Sequence, residues 1–292
     1  MRAWQAVGLS VLMLGLAQSH AVAAPLTTNT ALPVGKGEFI IRGQLVLRER
    51  DSASDAQIDA AALVSVLGYG LTPDLALFGV LPYIDKSMTP STGPRRRTEG
   101  VGDATLFGRY TLWRDDVLGR TARIAAIGGV IAPTGKEDDR DALGTLPRPF
   151  QNGAGAWGGH AGVVATWQTL KFQVDGQFLY QRFGSDQGYR RGDVRRFDLS
   201  LQYRLWPQAL STLTTGFLYA LLESNLIDVT RDDLSGMRTD TGGTQWFLTP
   251  GLQYITQRWI VEGGAQLPVK QNPHGNAFTD DYIARFGLRF NF

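Results

Sequence analysis

Hydrophobic and polar positions alternate along the end of the chain. Over residues 285–292, and back as far as Tyr282, aromatic and aliphatic side chains fall on one parity. Charged, polar and small residues fall on the other parity, with Ile283 as the apolar exception. Because successive side chains of a β-strand point to opposite faces, this alternation predicts a strand with one face in an apolar medium and the other in water.

The same alternation recurs in long segments throughout the chain. Residues 172–180 alternate phenylalanine, valine and tyrosine with glutamine and aspartate, and residues 197–205 repeat the pattern. Strands of soluble β-sandwiches are usually about five or six residues long, whereas these run to about ten, the length of a tilted membrane crossing. The pattern predicts an all-β fold, a transmembrane up-and-down antiparallel β-barrel of about 12 strands. The predicted strands are 37–49, 57–71, 74–85, 100–113, 120–133, 156–168, 171–183, 194–205, 211–223, 244–256, 258–269 and 281–292.

Two predicted strands depart from the alternation. Residues 58–70 and 123–132 are apolar on both faces in their middle. Alternation alone therefore does not assign the inner and outer faces of these two strands.

The connections between the predicted strands alternate between short and long. The long ones are rich in charge, glycine and proline, which excludes a buried course. An up-and-down barrel with both termini in the periplasm predicts this rhythm, with tight periplasmic turns and longer external loops. The long connections are 87–99, 134–155, 184–193, 224–243 and 271–280.

The N-terminus predicts export. Arg2 precedes an apolar run at 7–17 and a group of small residues at 21–24, the arrangement of a secretory signal peptide. We expect cleavage after Ala23, so that residues 1–23 are the signal peptide; an uncleaved anchor helix is the alternative, although the run is short for a membrane span. Residues 24–36 are polar and short, and we expect a short periplasmic lead-in or a small insert in the lumen, followed by the barrel domain at 37–292.

Composition narrows the possible functions. The chain has no cysteine, which excludes disulfides, a thiolate nucleophile and cysteine–metal sites. Its formal net charge is +2, which gives no reason to expect a nucleic-acid partner. Mean hydropathy is −0.12, and no segment after the N-terminal run is apolar and long enough for a membrane helix.

The predicted inner faces of the strands carry charges of both signs. A barrel of about eight strands is filled by side chains, whereas about sixteen leave an open channel. About twelve strands therefore predict a narrow, selective or partly plugged passage. The inner charges either pair across neighbouring strands and brace the barrel, or line a polar conduit. The lumen-lining candidates are Arg42, Asp103, Arg109, Asp175, Arg196, Asp198, Arg204, Glu262, Asp281, Arg285 and Arg289.

Two further groups have a candidate role at the membrane. Arg95, Arg96 and Arg97 lie in a predicted external loop. They are either a solvated charged run or a contact with lipopolysaccharide phosphates, since arginine binds phosphate well. The C-terminal pattern resembles the assembly signal of bacterial outer-membrane barrels, which implies the barrel assembly machinery as a partner. The residues in the signal positions are Arg285, Gly287, Phe290 and Phe292.

Catalytic and metal-binding patterns are weak. His160 is flanked by glycine and alanine, and His274 lies in a predicted loop near Asp280, where an Asp/His site is conceivable. The histidine motif of barrel phospholipases and the phosphate-loop pattern are absent from the sequence. The acidic run at 138–141 could hold Ca²⁺ but is more typical of a solvated loop. We therefore predict that the protein is not an enzyme and has no cofactor or metal.

Several short motifs, taken together with their order along the chain, resemble those of the meta-pathway phenol-degradation family of outer-membrane transporters. They are GLTPDL at 70–75, GVGD at 100–103, PTGK at 133–136, TPGLQY at 249–254 and QLPV at 266–269. The resemblance covers most of the chain after the signal peptide. It implies passage of a small hydrophobic or aromatic solute, but the chain lacks the long N-terminal plug of fatty-acid transporters.

Three functional hypotheses follow. The first is a porin-like barrel in the outer membrane of a Gram-negative cell, in contact with lipid and lipopolysaccharide, for passive uptake of small, hydrophobic or aromatic organic solutes. The second is a barrel with a structural role, or one whose external loops bind a partner. The third is an outer-membrane hydrolase that uses His274.

Overall fold

The alternating segments form long antiparallel strands. The computed structural model describes residues 24–53, 55–210 and 214–292, and the predicted signal peptide lies outside them. The strands are β1 (Phe39–Asp51), β2 (Gln57–Gly70), β3 (Leu75–Thr89), β4 (Arg96–Val101 and Ala104–Val117), β5 (Arg120–Ala132), β6 (Gly158–Thr169), β7 (Phe172–Phe183), β8 (Val194–Trp206), β9 (Gly216–Val229), β10 (Gly243–Thr256), β11 (Trp259–Pro273) and β12 (Thr279–Asn291).

The strands close into a barrel. The sheet contains thirteen strand segments, of which two follow one another along the chain and both pair with β3; they form the interrupted strand β4. The result is a closed antiparallel barrel of twelve strands. Closure is made by β1, which pairs with β2 on one side and with β12 on the other, where Leu45 lies opposite Phe286. The predicted all-β barrel is confirmed.

Strand bounds differ from the sequence prediction mainly at the loop end of the barrel. The predicted loop at 87–99 is largely a hairpin, because β3 continues to Thr89 and β4 begins at Arg96. The predicted strand at 211–223 instead begins at Gly216 and continues to Val229. In both places polar residues continue the alternation beyond the apolar stretch, and polarity alone had indicated a loop.

The two ends of the barrel differ. At one end β1 and β12 meet, with the amide of Phe39 donating to the carbonyl of Phe292 at 3.0 Å, and this end also carries the short turns. The other end carries the connections at 133–157, 184–193 and 230–242, which form small sheets of their own. Short turns are periplasmic and longer loops extracellular in outer-membrane barrels.

The outer surface of the barrel is apolar. Leucine and phenylalanine side chains point outward and are exposed, for example Leu67, Leu106, Phe197 and Phe286. Such a band suits the hydrocarbon of a bilayer, where the closed ladder of hydrogen bonds leaves no strand edge unpaired. Among the described residues, no helix has the length and apolar character needed to span a membrane.

The interior is divided into two sides. From β2 to β5 the inward side chains are mainly aliphatic and aromatic, including Val66, Phe78, Phe107 and Ile127. From β7 to β12 they are mainly amides and charged groups. The buried polar residues of this side include Gln173, Asp175, Gln177, Asp198, Ser200, Gln202, Arg204, Glu223, Asn225, Gln253, Glu262 and Gln266. The lumen therefore has an apolar wall facing a polar wall.

Candidate functional site

Residues 24–36 lie inside the barrel and cross its lumen. Leu26 is 1% exposed and Ala31 is equally buried. The segment contacts strands on opposite sides of the ring: the amide of Leu26 donates to Glu223 on β9 at 2.6 Å, and the carbonyl of Leu32 accepts from Arg109 on β4 at 2.5 Å. These contacts lie inside the barrel, one of the two alternative locations that the sequence predicts for this segment. We call residues 24–36 the lumen segment.

Side chains of β1 and β9 hold the start of the lumen segment by its main chain. Glu223 accepts the amides of Leu26 at 2.6 Å and Thr27 at 2.9 Å. Arg42 and Gln44 donate to the carbonyl of Leu26 at 3.0 and 3.1 Å. Since a short coil has many main-chain groups that need partners in a buried setting, these side chains supply the hydrogen bonds that water would otherwise give.

The middle of the lumen segment is held in the same way. The amide of Ala31 donates to the hydroxyl of Thr166 on β6 at 2.7 Å. The amide of Asn29 donates to the side-chain oxygen of Gln177 on β7 at 3.2 Å. Consecutive parts of the segment are therefore bound to consecutive strands of the wall, which fixes its course across the lumen.

Glycines allow the lumen segment to leave the barrel and enter β1. Gly37 has φ +82°, a conformation that side chains rarely adopt, and its amide donates to the carbonyl of Gly70 at 2.8 Å. A Cβ on Gly70 would lie 2.0 Å from the carbonyl oxygen of Gly35. The close approach of these two main chains requires glycine and places the turn against the end of β2.

A cavity of about 450 Å³ lies between the lumen segment and the apolar wall. Its aromatic part is a row in which Phe78 and Phe107 stack at 4.8 Å between ring centroids, and His160 meets Phe107 edge-on at 5.6 Å. Aliphatic residues Val64 and Val66 complete the wall. Pockets that bind organic molecules are usually of this size and mostly apolar.

Charged side chains also border the cavity. Arg109 lies over the ring of Phe78, with 4.9 Å from the guanidinium carbon to the ring centroid. Arg289 of β12 and Arg196 of β8 also line the cavity. The arrangement gives the cavity an apolar surface together with a cationic border.

Most of the predicted lumen-lining residues lie on the inner face, and four of them form two ion pairs with one another. Arg42 pairs with Glu262 on β11, and Arg196 pairs with Asp198 at 3.1 Å. Asp175 accepts from the hydroxyl of Thr166 at 2.5 Å.

Two arginines of the predicted row have neutral partners instead. Arg204 is buried, with its guanidinium carbon 5.6 Å from the ring centroid of Phe217. Arg285 donates to the amide oxygens of Gln44 and Gln266, each at 3.2 Å. The inner row thus both braces the wall and leaves some cations without carboxylate partners.

Two members of the predicted row lie elsewhere. Asp103 sits at the interruption of β4 and accepts the loop amides of Gly135 at 3.1 Å and Ala154 at 2.7 Å. Asp281 is exposed on the outer face, because a register shift near the start of β12 turns Asp280 inward in its place. Asp280, which sequence reasoning missed, pairs with Arg48.

Sequence reasoning identified Arg42 and Arg109 but missed other residues that bind the lumen segment. Glu223, Thr166 and Gln177 lie on predicted strands, and their inward parity was the available signal. Glu223 follows Leu221 and Leu222, so it resembled the polar end of an apolar strand. Glu223, Thr166 and Gln177 contact the lumen segment but are far from it in the sequence. The alternation within one strand shows which side chains point inward but not which of them meet the segment.

The three predicted phosphate-binding arginines already have acidic partners. Arg96 binds Asp141 through two hydrogen bonds of 2.8 Å, and Arg97 binds Asp85 in the same manner. The side chain of Arg95 lies 3.3 Å from Asp59 and is 61% exposed. Arg96 and Arg97 belong to β4 and not to a loop.

The residues considered for catalysis or metal binding are apart from one another. His160 lies in the aromatic row of the lumen, whereas His274 lies in the connection between β11 and β12. Of the acidic run, Asp139 accepts from the hydroxyl of Thr98 at 2.6 Å. In the parts of the chain that the structure describes, no group of three or more histidine, aspartate or glutamate residues could hold a metal ion.

Comparison with known proteins agrees with this architecture. The chain resembles the COG4313 outer membrane channel from Pseudomonas putida F1, with a TM-score of 0.65, 16% identity, and coverage of 96% of this chain and 100% of that one. It also resembles the β domain of the Bordetella autotransporter BrkA, with a TM-score of 0.50, 13% identity, and coverage of 88% and 100%. The fold is that of a bacterial outer-membrane β-barrel.

The chain belongs to the family described as "Putative MetA-pathway of phenol degradation", whose model matches residues 39–278. The resemblance inferred from the short motifs is thereby confirmed. A search of curated proteins found no match.

Proposed function

We propose that the protein is an outer-membrane channel for passive uptake of small organic solutes with an apolar or aromatic body. The observation that carries this proposal is the cavity of about 450 Å³ between the lumen segment and the wall that contains Phe78 and Phe107. Stacked rings and aliphatic side chains bind a hydrophobic solute in preference to water. The family description, which refers to phenol degradation, supports the same class of solute.

The lumen segment makes the route narrow. It occupies the space that a barrel of twelve strands would otherwise leave to water. A solute therefore passes beside the segment along the apolar wall, or the segment moves. Selection for apolar solutes follows, because the remaining space is lined on one side by Val64, Val66 and Phe78.

Uptake by intact cells tests the proposal. Cells that produce the protein are compared with cells carrying an empty vector, using a radiolabelled aromatic solute and a sugar of similar mass at low concentration. We expect faster uptake of the aromatic solute only, in the cells that contain the barrel. Equal uptake by both kinds of cell would contradict the channel role.

The external loops support a second candidate function, the binding of a partner at the cell surface. The connections at 184–193 and 230–242 share a four-stranded sheet, and Tyr189 donates to Asp232 between them at 2.6 Å. Burial and this hydrogen bond raise the pKa of Tyr189 above its ordinary value. This function would be favoured if the loops at 184–193 and 230–242 were rigid and the barrel passed no solute.

The remaining roles proposed from sequence are tested separately. The exposed guanidinium of Arg95 is the best placed of the three for lipopolysaccharide phosphate, because it is the most weakly paired. Arg95→Gln is expected to weaken lipopolysaccharide binding to the purified barrel. A hydrolase role requires that His274→Ala abolish a lipid- or peptide-cleaving activity of the purified protein.

A further inference from the structure

The charge around the cavity is unbalanced. Its charged lining consists of four arginines and one glutamate, Glu38. Two of the arginines, Arg42 and Arg196, have carboxylate partners in the wall. Within the described residues, the other two, Arg109 and Arg289, have no carboxylate within the 4.0 Å of an ion pair. Asp175 acts on Arg109 and Glu262 on Arg289 only from beyond that distance. The cavity therefore has two cationic groups without a carboxylate in contact.

Arg109 is the more deeply buried of these two cations. It is 8% exposed, it donates to the carbonyl of Leu32, and it lies over the ring of Phe78. A carbonyl and a ring face stabilise a guanidinium but carry no net charge. Placing a cation without a contacting carboxylate in a medium of low dielectric costs free energy, which a bound anion would recover.

Arg289 borders the same cavity from β12. Its Nε donates to the side-chain oxygen of Asn291 at 2.9 Å, again a neutral partner. Arg289 and Arg109 line the same cavity, and the charge of Arg289 acts on Arg109 together with the opposite charge of Asp175. Two like charges facing one space repel, and an anion between them would turn repulsion into attraction on both sides.

We infer that the cavity binds an organic monoanion, with its carboxylate held by Arg109 and Arg289 and its aromatic body against Phe78 and Phe107. Guanidinium groups match the planar geometry of a carboxylate and bind it through paired hydrogen bonds. The aromatic row lies directly beneath Arg109, so one small molecule can reach both. The inference rests on the proposed function, because it takes the cavity to be part of an uptake route. It adds to that function that the solute carries a negative charge.

Binding to the purified barrel in lipid nanodiscs tests the inference. The probes are 2-naphthoate and the neutral 2-naphthalenemethanol, which have the same ring system, and the method is isothermal titration calorimetry. We expect naphthoate to bind at least about tenfold more tightly than the alcohol, the ratio given by one charge-assisted contact of about 1.4 kcal/mol. Equal affinities for the two probes would overturn the inference.

Variants locate the binding site. Arg109→Gln and Arg289→Gln are each expected to remove most of the preference for the anion, whereas Arg109→Lys retains part of it. Arg114→Gln is the matched control, because Arg114 lies on the same strand but is exposed and pairs with Asp74 outside the cavity. A preference that survives both glutamine variants would place the anion elsewhere and overturn the inference.

The design separates the inference from the proposed function. Arg289 makes no hydrogen bond to the lumen segment within the described residues, so Arg289→Gln changes the charge and leaves the segment anchored. If the purified barrel prefers the anionic probe but cells show no uptake, the proposed channel function is contradicted and the inferred anion site is not. Uptake of aromatic solutes without charge-selective binding would leave the channel standing and remove the anion site.

Discussion

Glu223 accepts the main-chain amide of Leu26 at 2.6 Å in the centre of the barrel. The same carboxylate accepts the amide and the hydroxyl of Thr27, and it is fully buried. No arginine lies within ion-pair distance of it among the described residues. A buried carboxylate that is satisfied by main-chain amides fixes a segment strongly, because separating them leaves both donors and acceptor without partners.

Removing this anchor is expected to open the lumen. Glu223→Ala leaves two amides unsatisfied, which costs about 1–3 kcal/mol each when no water replaces the carboxylate. We expect the lumen segment to leave its position more often and single-channel conductance in planar bilayers to rise. Glu99→Ala, at an exposed position on β4, is the control and is expected to leave conductance unchanged. A conductance of Glu223→Ala equal to that of the unaltered protein would show that Glu223 does not control how far the lumen segment blocks the lumen.

The apolar wall is expected to limit the size of the solute. Val66 lines the cavity, and Val66→Phe adds a larger side chain to a space of about 450 Å³. Uptake of an aromatic solute by cells should fall severalfold, because the larger side chain takes up part of the cavity that the solute's ring would occupy. The neighbouring change Leu67→Phe is the control: Leu67 is 51% exposed on the lipid face of the same strand. Similar uptake by the two variants would exclude passage along this wall.

Sequence predicted the barrel well because strand facing is a local property. Alternation over about ten residues is determined by the two media on either side of the wall, whatever the rest of the chain does. It failed at Asp281, where one extra residue in β12 reverses the facing, and a bulge leaves no mark in the pattern. It also left the facing of residues 58–70 open, and these residues form part of the apolar wall of the cavity.

The site was harder to predict than the fold because it depends on contacts between distant parts of the chain. Arg109 was identified as an inner residue, but its contact with Leu32 and Phe78 depends on where the lumen segment lies. Gly287 was assigned to an assembly signal, and it also has a packing reason: a Cβ there would lie 2.4 Å from Glu262. Polarity showed which residues face inward but did not show which of them meet.

Acid is expected to loosen the tether between β4 and the loop at 133–157. Hydrogen bonds from Arg96 lower the pKa of Asp141 below its ordinary value of 3.8. A carboxylate with a lowered folded-state pKa stabilises the fold above its unfolded-state value, and this contribution is lost as pH falls through the lowered value. A spin label on Leu143→Cys, in a chain without other cysteines, should therefore gain mobility only as pH falls below 3.8.

A variant provides the control for this pH dependence. Asp141→Asn removes the charge at every pH, so the label should be mobile at pH 7 and change little on acidification. Label mobility that rises on acidification to the same extent in Asp141→Asn would mean that another carboxylate holds the loop.

The side chain of Phe292 is expected to act in assembly and not in the stability of the finished barrel. Its main chain closes the ring, since its amide donates to the carbonyl of Phe39 at 2.9 Å, and this bond does not require an aromatic side chain. Phe292→Ala should therefore refold in detergent as the unaltered protein does. In cells it should reach the outer membrane in several-fold lower amount, if the barrel assembly machinery binds the terminal aromatic residue.

The matched control is Phe286→Ala, which removes an exposed phenylalanine from the lipid face of β12. Its position lies outside the proposed signal. Heat-modified mobility in gels measures folding in both settings, and membrane fractionation measures the amount inserted. If the two variants reach the outer membrane of cells in equally lowered amounts, Phe292 contributes only as an apolar side chain in contact with lipid. A loss confined to Phe292→Ala, in cells alone, would assign the residue to recognition, because both variants remove an exposed phenylalanine side chain.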